Sequence, residues 1–128
     1  MHPQTHVLAE LGERLGVPLS FGESGQCCIV LDQELYVAIE TLASGWLFTG
    51  LLGQGVDNRG SAFLQDVLSR NLKLTQQYGG TIACEPQSGA LLYVSKLPLS
   101  QLDGEKAYEF LEQFVDQLES LSHQLQLH

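Results

Sequence analysis

Three glycines, Gly53, Gly55 and Gly60, stand in the stretch GQGVDNRGS (Gly53 to Ser61), a spacing that invites a phosphate-cradling loop. That chemistry needs a terminal Gly-Lys-Ser/Thr, so that the lysine meets phosphate and the hydroxyl meets magnesium. No such lysine is present, and the third glycine of a dinucleotide fingerprint is replaced by Asn58. A connecting loop is the better reading. GESG (Gly22 to Gly25) approaches the G-x-S-x-G elbow of serine hydrolases, but Gln26 replaces the final glycine and no His-Asp arrangement supports Ser24. Cys27, Cys28 and Cys84 could act as nucleophiles only as thiolates, and they sit in apolar strand-like runs where the thiolate is disfavoured. The four histidines fall at His2, His6, His123 and His128, near the termini, and no cysteine pair has C-x-x-C spacing, so a zinc site is unsupported. Glu34, Glu40 and Glu85 flank or end strands and form no acid–base pair in an apolar setting. The expectation is a protein that is not an enzyme and uses no cofactor or metal.

The elements follow from periodicity. Val7, Leu8, Leu11 and Leu15 fall at helical spacing behind Thr5, a candidate cap, and Gly16 to Pro18 stops the helix. QCCIVLDQELYVAIE (Gln26 to Glu40) reads as two strands joined at Asp32-Gln33. Leu35, Val37 and Ile39 alternate as a half-buried strand should. The opposite face carries Cys28, Val30, Tyr36 and Ala38, which is not the polar set that water favours. A third strand spans Trp46 to Leu52, with both of its faces apolar. Ser61 is the expected cap of a second helix bearing Phe63, Leu64, Val67, Leu68 and Leu72. Thr81 to Glu85 and Ala90 to Lys96 are strands around the turn PQSG, where Pro86 restrains φ and Gly89 permits a positive one.

Asp103 is placed to cap the last helix, the most regular segment of the chain. Leu111, Phe114, Val115, Leu118, Leu121 and Leu125 make one stripe; Glu105, Glu109, Glu112, Asp116 and Glu119 make a second on the roughly opposite side. That helix packs one side on a sheet and shows an acidic ribbon to solvent. The order is α-β-β-β-α-β-β-α.

Bulk properties bound the function. A chain of 128 residues makes one domain and buries roughly two-thirds of its unfolded surface. Six basic against fifteen acidic residues give a net charge of −9. Nucleic acid demands clustered Lys and Arg, and anionic membrane surfaces demand the same, so the charge argues against both as partners. The N-terminal MHPQTHVLAE lacks the basic and apolar regions of a signal peptide. The apolar runs CCIVL and ALLYV fall far short of the ~20 residues of a spanning helix. Three cysteines do not make a disulfide framework, and a cytoplasmic location is expected.

Taken together, these segments resemble a known family. The resemblance begins with LAELGERLGVPLSFGESGQCCIVLDQELYVAIE, a helix ending in Leu-Gly followed by a turn and two strands. It continues with LLGQG after the third strand and FLQDVLSRNL, with Asn71 near the end of the second helix. It closes with GGTIACEPQSGALLYVSKLPLSQLDGEKAYEFLEQFVDQLESL, the most specific part. The chain is similar over nearly its whole length to the small acidic class I chaperones of bacterial type III secretion. The resemblance implies an α+β sandwich, a twisted antiparallel sheet with helices packed on it, working as a homodimer in the cytoplasm of a Gram-negative bacterium. It implies ATP-independent binding of the extended N-terminal segment of a secreted effector, with components of the secretion apparatus as further partners.

The bare sheet face then has a use. If helices cover one side of a five-stranded sheet, the other side stays open unless the first helix or a partner copy covers it. Val30, Tyr36, Ala38, Trp46 and Phe48, with Leu8 of the first helix, are the candidate client-binding residues. About 400 Å² of such surface is worth up to ~10 kcal/mol gross when covered. Leu64, Val67 and Leu68 are the candidate dimer contacts. Two other readings stay open at this point: a chaperone-like interaction or regulatory domain outside secretion, and a small hydrolase or ligand-binding enzyme.

Overall fold

The computed structural model describes residues 3–31, 35–54 and 59–125. Its elements are α1 (Pro3–Leu15), β1 (Gln26–Leu31), β2 (Leu35–Leu42), β3 (Gly45–Gly53), α2 (Ser61–Gln77), β4 (Thr81–Cys84), β5 (Leu91–Pro98) and α3 (Gly104–Gln124), with a 3-10 turn at Leu99–Gln101. The α-β-β-β-α-β-β-α order holds. The turn expected at Asp32-Gln33, Glu34, most of the glycine-rich loop, His2 and His128 lie outside the described residues.

The strands form one antiparallel sheet in the order β1-β2-β3-β5-β4. Side chains alternate between its faces. Ile29, Val37, Ile39, Trp46, Phe48, Tyr93 and Leu97 all point to one face and are buried there. The cross-strand register keeps these rows aligned: Ile39 lies opposite Phe48, and Trp46 opposite Leu97. Helices α1 and α3 cover this inner face. Phe48 sits 4.8 Å from the Phe110 ring and 5.8 Å from that of Phe114, which stacks on Tyr93 at 5.0 Å. From α1, Leu8 and Leu11 are fully enclosed, and Gln4 Oε1 accepts the Trp46 indole N–H at 3.2 Å. A buried indole N–H is costly to leave unpaired, so this bond also fixes where the start of α1 lies on the sheet.

Helix ends show where local signals decide. α1 starts at Pro3, two residues before the expected Thr5 cap; proline suits the first helical position, where no N–H partner is needed. α2 is capped by Gly60 through its extended backbone, with no side-chain bond, so Ser61 is the first helical residue and not the cap. α3 begins as expected: the Asp103 carboxylate accepts the Lys106 N–H at 2.8 Å.

The β4–β5 turn is organised by Glu85. Its carboxylate accepts the Ser88 N–H at 2.6 Å, the Ser88 hydroxyl at 2.7 Å and the Gln87 N–H at 3.2 Å, while Gly89 supplies φ 71°. The Ser88 hydroxyl first, then the two amides, hold the Glu85 carboxyl below the usual carboxylate range. The ionised carboxylate therefore favours the turn, and this support is lost as pH falls through the lowered value.

Gly50 of β3 lies beneath α3. A Cβ there would stand 2.6 Å and 2.7 Å from the two methyl carbons of Leu118. Gly50→Val is expected to push α3 off the sheet and lower stability by about 1–3 kcal/mol, read as an earlier urea midpoint.

Candidate functional site

The same alternation that fills the inner face sets the outer one. On β1 and β2, Val30 lies opposite Tyr36 and Cys28 opposite Ala38. On β3 the outer row is Leu47, Thr49 and Leu51, with Thr49 opposite Ala38 and Leu51 opposite Leu92 of β5. Val30 is 53% and Tyr36 57% exposed; Leu51 is exposed as well, and Ala38, Leu47, Leu92 and Val94 are half-buried. The result is an apolar band across the sheet, richest at the β1–β2 end. Large exposed apolar patches on other proteins often coincide with interaction sites.

The β1 border of this surface is open. Thr41 N donates to Gly25 O at 3.0 Å, which sets the phase of the ladder. Cys27 and Ile29 exchange bonds with β2, and the peptide groups of Cys28 and Val30 point away from the sheet. Gly22 N occupies Gln26 O at 2.9 Å; beyond that point, no backbone partner covers Cys28 or Val30 among the described residues.

This geometry corrects three of the proposed contacts. Trp46 and Phe48 have no exposed surface, and neither has Leu8. Both faces of β3 are apolar, so alternation alone left its phase undecided. Pairing with β2 settles it, because Phe48 must share a face with Ile39, and Thr49 with Ala38. Leu8 is enclosed on the flank of α1 that carries Gln4, the partner of Trp46. These three build the core, while Val30, Tyr36 and Ala38 lie on the open side.

On α2, Val67 is buried with Leu74 against β4, which removes Val67 from the outer contacts. Leu64, Leu68 and Leu72 recur every fourth residue on an exposed flank; Leu68 is 67% and Leu72 64% exposed. Leu72 extends the stripe that Leu64 and Leu68 begin, and the four-residue spacing was the signal for it.

The other flank of α2 faces α3 across an open cavity of about 490 Å³ lined by Arg70, Lys73, Tyr78, Gln117, Ser120 and Gln124. Arg70 is committed there. Its Nε lies 3.2 Å from both oxygens of Asp66, and its Nη1 donates to Gln124 Oε1 at 2.5 Å. The cleft works as a polar strut between two helices.

Cys27 is buried, and burial pushes its thiol up, against a backbone bond near Ser20 that pulls the other way. Cys28 and Cys84 are exposed, contrary to the buried setting expected from their strands. Among the described residues no group of His, Cys, Asp and Glu could hold a metal ion, and no helix is long and apolar enough to cross a membrane.

The sequence pattern of the Tir chaperone protein (CesT) family matches residues 6–122. Among solved structures, a chain of the ExsC–ExsE complex superposes with TM-score 0.82 at 22% identity, covering 94% of this chain and 92% of that one. A chain of the HopA1–SchA chaperone–effector complex gives 0.79 at 17% identity, covering 92% and 91%. The Yersinia pestis type III secretion chaperone SycH, in complex with a stable fragment of YscM2, gives 0.70 at 20% identity, covering 92% and 98%. These likenesses establish the fold.

Two measurements check the division into faces. Val30→Asp should change unfolding free energy by no more than about 0.5 kcal/mol, whereas Trp46→Ala should cost about 3–5 kcal/mol. In the native state at neutral pH, iodoacetamide should label Cys28 and Cys84 ahead of Cys27, read by mass spectrometry of the peptides.

Proposed function

The chain belongs to the Tir chaperone protein (CesT) family, and from that premise we propose that it captures an extended N-terminal segment of a secreted effector and keeps it soluble for export. The observation that carries this reading is the apolar outer sheet face, exposed at Val30 and Tyr36, beside the open β1 border. An extended segment adds backbone hydrogen bonds along such a border and sets alternate side chains on the apolar band. The segment must be ordered on binding, which lowers net affinity and suits a cargo that is later released. The related structures support the reading, since one holds a chaperone together with its effector and another a type III secretion chaperone together with a stable fragment of YscM2. Capture of this kind takes place in the cytoplasm and requires neither turnover nor a cofactor.

The chaperone acts as a homodimer in this proposal. The exposed flank of Leu64, Leu68 and Leu72 is the contact between copies. It is apolar, it is regular, and it lies apart from the β1–β2 end, so pairing leaves the client surface free.

The test is co-expression with the non-globular N-terminal segment of an effector encoded beside this chain. A soluble complex is expected, with the segment protected from proteolysis. Val30→Asp with Tyr36→Asp should weaken capture at least tenfold, about 1.4 kcal/mol, without altering the mass of the free protein. Leu64→Asp with Leu68→Asp should halve that mass by light scattering. Undiminished capture by the first pair of substitutions, or capture only of a folded partner, would overturn the proposal.

A further inference from the structure

A five-stranded open sheet has two borders, and the strand at each presents unpaired peptide groups that invite another chain. Here the two borders differ. β1 is open at Cys28 and Val30. β4, the opposite border, meets helix α2. Glu85 N donates to Ala90 O at 2.8 Å, and this fixes the phase of β4: Thr81 and Ala83 bond to β5, while the peptide groups of Ile82 and Cys84 point outward.

The outward groups of Ile82 are both taken by one side chain. Ile82 N donates to Asn71 Oδ1 at 2.6 Å, and Asn71 Nδ2 donates to Ile82 O at 3.0 Å. A primary amide has the donor and acceptor of a peptide unit, held in one plane. Asn71 therefore makes the pair of bonds that a neighbouring strand would make. One turn further along α2, the Thr75 hydroxyl donates to Gly80 O at 3.4 Å.

The two contacts share one register. Four residues of helix rise about 6 Å, and two residues of strand rise about 6.7 Å. So Thr75 meets Gly80 and Asn71 meets Ile82 without distortion. The next position in that register pairs Val67 with Cys84, and a valine side chain can make no such bond.

The geometry points to Asn71, supported by Thr75, as a strand surrogate that seals the β4 border against addition of a polypeptide. Strand addition is thereby confined to β1. This deepens the capture reading above by assigning it to one border, yet the seal itself stands without any client. It also protects the molecule from itself: an unsealed β4 would pair with the same strand of another copy.

Amide hydrogen exchange of the full chain tests this directly. In the native protein Ile82 should exchange at least tenfold more slowly than Cys84. Asn71→Ala should accelerate Ile82 exchange at least tenfold and make the light-scattering mass grow with protein concentration beyond that of the native protein. Asn71→Asp, which keeps the acceptor and loses the donor, should give a smaller effect and serves if the alanine variant fails to fold. Adding Cys84→Pro to Asn71→Ala should restore the native mass, because proline blocks pairing at an outward-facing edge position. Exchange at Ile82 as fast as at Cys84 in the native protein would overturn the inference. So would an Asn71→Ala protein with a fast Ile82 amide and an unchanged mass. These readouts involve no effector, so failure of effector capture and failure of the seal are separate results.

Discussion

Everything accessible on this molecule depends on which face of the sheet α3 chooses to cover. Phe110 and Phe114 reach Phe48 and Tyr93, and Leu118 fills the space that Gly50 leaves open. Side chains on a strand alternate strictly, so this choice commits every other residue of the sheet to the opposite side. With α1 joining α3 through Leu8, Leu11 and the Gln4–Trp46 bond, both helices are spent on one face. A chain of this length then has only α2 left, and α2 is engaged at the β4 border. The uncovered apolar band is the necessary remainder of that arrangement.

Much of the fold was legible because it rests on local chemistry. The 3.6-residue stripe of α3 and the Asp103 cap involve neighbours within one or two turns. The Pro86–Gly89 turn carries its own conformational instructions. The start of α2 was missed by one residue because Gly60 and Ser61 are both acceptable caps, and only the backbone angles choose between them. On the candidate site, Val30, Tyr36 and Ala38 were readable from one strand pair whose other face was plainly apolar. Trp46 and Phe48 were not, since β3 is apolar on both sides and its phase is set by pairing with β2, where Ile39 meets Phe48. Val67 and Leu64 are equally apolar in sequence, and only the position of β4 separates them. The bond from Asn71 to Ile82 spans a turn, and no periodicity reports such a contact.

The polar groups of the interior show how few are tolerated and how each is used. Gln4 and Ser95 are the buried polar residues among those described, and no buried side-chain nitrogen or oxygen there is left without a partner. Gln4 orients a helix, and Asn71 occupies strand groups. Both are uncharged amides, which can be desolvated at far lower cost than an ion. Charge is kept outside, with Arg70 held between Asp66 and Gln124 at the surface of the α2–α3 cleft.

The acidic ribbon of α3 has a consequence for behaviour in concentrated solution. Glu105, Glu109, Glu112, Asp116 and Glu119 lie on the helix face turned from the sheet, so like charge gathers on the back of a molecule whose front is greasy. Approaching neighbours repel back to back over roughly 8 Å at physiological ionic strength, while nothing comparable keeps their fronts apart. Crowding therefore favours meetings front to front, and added salt, by shortening the reach of the repulsion, makes the colloid less selective about orientation.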